Sequence, residues 1–87
     1  MPLSFVKHLF RMNVYSPAYQ EFVARLRRAR KLAGMTQVEA SNKLGKAHSY
    51  VSKCELGERR VDFLEALQFA RLYKKSLAFF CRHLPEF

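Results

Sequence analysis

From position 17 onward apolar residues recur every three or four positions and no segment alternates apolar with polar, so the pattern predicts helices and no strands. Gly34, Gly45 and Gly57 each follow one such stretch, where a left-handed C-terminal cap belongs. Ser16 ahead of Pro17 predicts the N-cap of a first helix that ends at Gly34. At about 100° per residue, Tyr19, Phe22, Val23, Leu26, Ala29 and Ala33 share an arc of about 120° that faces the core. Arg25, Arg27, Arg28 and Lys31 point away and read as a solvated face, but Arg30 falls inside the apolar arc. An arginine there requires an acidic partner.

Thr36 with Glu39 three residues on predicts a capping box and a short helix running to Leu44 before Gly45. The next helix is expected over 47 to 56, with His48, Ser49, Ser52, Lys53 and Leu56 on one face and Ala47, Tyr50, Val51 and Cys54 on the other. Asp62 suits the N-cap of a fourth helix carrying Phe63, Leu67, Phe69, Ala70 and Tyr73. Ser76 opens a fifth with Leu77, Phe80, Cys81 and Leu84 on one side, which leaves Phe79 exposed beside Arg82 and His83. Ahead of this rhythm, Phe5, Val6, Leu9, Phe10 and Met12 gather opposite Lys7, His8 and Arg11, as in one short amphipathic helix. The expected organisation is therefore all-α, with residues 1–16 as an N-terminal extension and 17–87 as the domain.

A chain of 87 residues builds one small core, for which 49% apolar residues suffice. Sixteen Lys and Arg against seven Asp and Glu leave a net charge of +9, which points to a polyanionic partner. A membrane-spanning segment is excluded, because the longest apolar run, Leu77–Cys81, is five residues where about 20 are needed. Lys7, His8 and Arg11 interrupt any secretory h-region, so a cytoplasmic location is expected. Cys54 and Cys81 lie in no CxxC and read as reduced core residues, and His8, His48 and His83 lack an i, i+4 partner. No metal, no cofactor and no catalysis are expected, since no paired carboxylates or nucleophile and base stand near a glycine-rich or metal-binding motif.

A short helix, a glycine turn and a second helix with one polar face are the ingredients of a helix-turn-helix unit, whose second helix enters the DNA major groove. The run Leu26-Arg27-Arg28-Ala29-Arg30-Lys31-Leu32-Ala33-Gly34-Met35-Thr36-Gln37, then Leu44-Gly45, then Ser49-Tyr50-Val51-Ser52-Lys53-Cys54-Glu55-Leu56-Gly57-Glu58-Arg59-Arg60-Val61-Asp62 resembles the lambda-repressor and Cro-like (XRE type) family. The resemblance implies a five-helix lambda-repressor-like fold that binds double-stranded DNA. It places His48, Ser49, Ser52 and Lys53 at base edges, and Thr36, Gln37, Lys46, Tyr50, Arg59 and Arg60 at phosphates. Gln37 would also brace the first reading residue, and Arg30 and Glu55 match a pair that joins the first and third helices, the partner that the periodicity requires.

The chemistry suits those roles: Lys53 can donate to guanine O6 and N7, His48 can donate to the same acceptors or sit against a phosphate, and Ser49 tolerates either base type. There are departures from the family. Ser41 follows Ala40 where Leu-Ala is usual, so its hydroxyl is expected on a backbone carbonyl. Ala47 stands where a capping Ser, Thr or Pro is common, and Leu56 interrupts the polar face, where it either touches a thymine methyl or sugar or is surface apolar area with no contact to make.

The expected function is a sequence-specific transcriptional regulator of bacterial or phage type, a homodimeric repressor on half-sites about 34 Å apart. Phe79, Phe80, Leu84, Phe87 and the N-terminal apolar face are the candidates for the dimer surface, and no small molecule or membrane is needed. An antitoxin or restriction-modification controller has the same size and fold, and the rival class is a protein-interaction module that keeps the shape.

Overall fold

Helices begin where a side chain takes up backbone N–H groups that have no helical partner. The Ser16 hydroxyl accepts from Tyr19 N–H at 3.2 Å, ahead of Pro17. Thr36 with Glu39, and Asp62 with Glu65, close reciprocal capping boxes. The computed structural model describes residues 16–82, 84 and 85. Among them run α1 (Pro17–Leu32), α2 (Gln37–Lys43), α3 (Tyr50–Leu56), α4 (Phe63–Tyr73) and α5 (Leu77–Cys81), with no strand. The amphipathic segment expected before residue 16, together with His83 and Phe87, lies outside the described residues.

Helix α1 packs against α3, α4 and α5, while α2 packs on α3. The core joins Leu26 and Ala29 of α1, Ala40 of α2, Val51 and Cys54 of α3, Phe69, Ala70 and Tyr73 of α4, and Phe80 of α5. Phe69 lies between Tyr50 and Tyr73, with ring centroids 5.9 and 5.7 Å away. Gly57 ends α3 at φ 78, the left-handed conformation expected of it. Lys74 ends α4 at φ 56 with no glycine, a boundary the sequence marks only by Ser76 on its far side.

Several expectations are corrected. Helix α3 starts at Tyr50, three residues later than predicted, and Ala47 is exposed instead of facing the core. The turn explains both: Lys46 N–H donates to the Ser41 carbonyl at 3.0 Å, and Tyr50 N–H donates to the Ala47 carbonyl at 3.0 Å. Ser49, at the N-cap, makes no capping bond with its side chain. Ser41 supplies the cap from another helix: its fully buried hydroxyl accepts from Val51 N–H at 3.1 Å, where a carbonyl partner was expected. Ser41→Ala is therefore expected to strand that N–H and remove about 1–2 kcal/mol of stability. Thermal unfolding followed by circular dichroism checks this, and an unchanged midpoint refutes the capping role.

The last helices also differ. Phe79 is half-buried, not exposed: Phe80 meets it edge-on at 5.4 Å, and the Arg25 and Lys75 cations stand 6.0 and 5.1 Å from its ring centre. Phe80 is 3% exposed. Cys54 is buried as read, but Cys81 is exposed and both thiols are free. Phe63, the first residue of α4, is 67% exposed because the core-facing stripe of that helix starts one turn later.

Candidate nucleic-acid interface

The inner face of α3 is fastened by one carboxylate. Glu55, 2% exposed, receives Arg30 Nε at Oε2 (2.7 Å) and Arg30 Nη2 at Oε1 (3.1 Å). Gln37 Nε2 donates to Oε1 at 3.1 Å, so its side chain braces Glu55 and not the first reading residue, as was expected of it. Arg27 adds Nε 3.5 Å from Oε1 and donates through Nη2 to the Glu55 carbonyl at 3.1 Å. Arg30 also donates to the Met35 carbonyl at 2.8 Å, so α1, the turn after it, α2 and α3 meet at one charge centre. The bond to Glu55 pushes the Arg30 pKa up and outweighs the opposing effect of burial. The arginine demanded by helical periodicity thus has the partner that the resemblance supplied. Arg27, read as part of a solvated face, had no sequence signal for this contact.

With that face held inward, the opposite one is open. His48, Ser49 and Lys53 are exposed and Ser52 is half-buried. Ser52 and Lys53 stand on α3 itself, while His48 and Ser49 stand on the turn that leads into it. Leu56 is 59% exposed beside them.

Two basic groups gather on the ring of Tyr50, the first residue of α3. Lys46 Nζ and Arg59 Cζ lie 5.5 and 5.0 Å from the centre of the Tyr50 ring. The hydroxyl of Tyr50 is turned inward and donates to Glu65 Oε2 at 2.9 Å, so this buried side chain serves as a platform, not as the phosphate donor anticipated for it. Arg59 Nη1 reaches Glu65 Oε2 at 2.8 Å. Arg60 lies over the Tyr19 ring at 5.6 Å, and the Tyr19 hydroxyl accepts from Val61 N–H at 3.0 Å. Thr36 is exposed with its hydroxyl accepting from Glu39 N–H, and Gln37 is half-buried.

Glu65 was missed in the sequence, although Asp62 and Glu65 have the spacing of a second capping box. Burial pushes its carboxyl up, but hydrogen bonds from Asp62 N–H, Arg59 and Tyr50 prevail and bring it down to about 2. A carboxyl depressed on folding contributes stability that is present above its unfolded value and lost as pH falls towards its folded one. Stability is therefore expected to decline between about pH 4.5 and 2, and Glu65→Gln to flatten that decline. Urea unfolding at stepped pH checks it; identical slopes for both proteins would exclude Glu65 as the source.

The sequence model of the helix-turn-helix family, lambda-repressor-like (XRE) in type, matches residues 26–80. This chain belongs to that family. Neither the curated proteins nor the solved structures contain a match. The matched stretch of this helix-turn-helix protein contains the charge centre at Glu55 and every polar residue of the open face. Its all-helical fold and its DNA-binding character follow from the family. Among the described residues no three His, Cys, Asp or Glu group as metal ligands, and no helix is long and apolar enough to cross a membrane.

Proposed function

We propose that this helix-turn-helix protein is a sequence-specific transcriptional repressor, working as a homodimer that lays α3 and the turn before it in the DNA major groove. The observation that carries the reading is the open polar set of His48 and Ser49 on the turn before α3 and Lys53 on α3 itself, a helix whose opposite face is held by Glu55. His48, Ser49, Ser52 and Lys53 read base edges, Lys53 on guanine. Lys46, Arg59, Arg60, Thr36 and Gln37 hold phosphates, which position the protein without reading sequence. No catalytic step or cofactor is involved. Occupation of a promoter on a bacterial or phage genome, in the cytoplasm and on the nucleoid, is the regulatory act.

A single module of this type buries only about 600–1,000 Å² on DNA, which favours two copies on neighbouring half-sites. Phe80 is too deeply buried in its own domain to belong to the dimer surface; Phe79 and Leu84 are half-buried and remain candidates, and Phe87 lies outside the described residues. A protein-interaction module is the second reading, favoured by Leu56 in the middle of the polar face.

Gel-shift titration on an operator selected from random DNA separates the two. If Lys46, Arg59 and Arg60 each meet one phosphate, affinity per copy falls roughly 40-fold between 50 and 200 mM salt. Binding indifferent to salt, or no enrichment of any site over competitor DNA, refutes the repressor reading.

A further inference from the structure

Where the first turns of α1 and α4 meet α5, the surface opens into a mainly apolar groove of about 350 Å³. Ala18, Tyr19 and Phe22 form one wall, Phe63 and Ala66 the second, Leu77 and Cys81 the third. A cavity of about 150 Å³ accommodates a benzene-sized group, so a phenyl ring enters this groove with room to spare. Such a ring stands on its rim: Phe63 is 67% exposed, next to Leu64 at 69%, and Leu77 is open at 37%.

We propose that two copies of this chain pair through this patch, each Phe63 ring entering the groove of the other. The inference rests on the homodimer reading above and names the surface that makes it. Shape is the first support. A two-fold interface applies one patch to itself, so it needs a knob and a hole side by side, and Phe63 borders the groove that it would fill in the partner. The charges match in the same way, because Arg60 and Asp62, of opposite sign, both line the groove. Asp62 Oδ1 accepts from Glu65 N–H at 2.8 Å, which leaves Oδ2 to receive Arg60 of the partner subunit. With its five N–H donors, Arg60 can serve the partner and a phosphate at once.

Size is the second support. A phenylalanine buries about 150–250 Å², so a ring two-thirds open offers roughly 100–170 Å² to a partner. A stable interface takes about 800 Å² per partner, so the ring is its central anchor, and Leu64, Leu77 and the groove walls supply the surround. The third support is the join to α3. Glu65, in the first turn of α4, accepts from the Tyr50 hydroxyl of α3 at 2.9 Å and meets Arg59 at 2.8 Å. A contact made at that turn therefore holds each α3 in a fixed place, as two half-sites at one spacing require.

Phe63→Trp in the full chain carries the test, because the chain has no tryptophan. Its mass by sedimentation and its emission are followed from low micromolar to submillimolar protein. Mass is expected to double, and emission to shift to the blue, over the same range of concentration. Phe63→Ser is expected to weaken pairing at least tenfold at an unchanged melting temperature. It should also abolish cooperative binding to a selected operator with two half-sites while affinity for one half-site stays the same. Leu56→Ser, which alters an exposed side chain outside the groove, is expected to leave pairing intact. A doubled mass with solvent-like emission overturns this surface and leaves the homodimer reading standing. Blue-shifted emission at the mass of a monomer overturns it by placing another part of the same chain in the groove. A monomer at every concentration that binds the operator without cooperativity overturns both.

Discussion

Glu55→Ala is expected to remove about 3–5 kcal/mol of folding stability, because it leaves the Arg30 guanidinium buried without its counter-charge. Domains of this kind have about 5–15 kcal/mol in total, so the variant should be near the edge of folding at room temperature. The loss is larger than an ordinary surface pair could give, since the Arg30 side chain is 10% exposed and that of Glu55 0%. Gln37 and Arg27 lose their acceptor in the same step. Replacing both partners by apolar residues, Arg30→Met with Glu55→Leu, is expected to recover most of the stability, because no unpaired charge is then buried. Urea unfolding of the parent, Arg30→Met, Glu55→Leu and the double variant measures the coupling. Additive losses would mean that Arg30 and Glu55 act independently.

The second large effect is on DNA. Lys53→Ala should weaken binding to a selected operator roughly 5- to 150-fold, corresponding to about 1–3 kcal/mol, and relax preference at the base pair it meets. Lys46→Gln should behave differently, weakening all sequences alike and lowering the salt slope by about one. The contrast rests on geometry: Lys53 stands on the outward face of α3, whereas Lys46 precedes the turn and lies over the Tyr50 ring. Site selection repeated with each variant decides between the roles. An unchanged consensus with Lys53→Ala would remove Lys53 from the base-reading set.

Helix starts with their own caps were legible, since Ser16, Thr36 and Asp62 act on N–H groups three residues ahead. The start of α3 was not, because its cap comes from Ser41, ten residues away and on another helix. Local pattern extended the helix back to Ala47, where only a turn forms. Arg30 was legible as a buried charge from its angular position, while Glu55 as its partner came from family resemblance. For Tyr50 the two routes disagreed: helical periodicity put it on the apolar face and resemblance put it at a phosphate. The buried ring and the bond to Glu65 follow the periodicity. Phe79 and Cys81 were misplaced because α5 is five residues long, too short for a periodic pattern to define a face. Contacts from α1, such as Arg25 on the Phe79 carbonyl, decide it instead.

No side-chain hydrogen bond ties His48, Ser49, Ser52 or Lys53 to the rest of the described chain, while α3 is anchored through Val51, Cys54 and Glu55. On the base-reading role proposed for these four residues, target choice and foldability are separately inheritable in this protein. On that reading its descendants can exchange the four residues and drift to new operators without passing through unfolded intermediates, and an engineer can graft a foreign recognition set onto it by the same route.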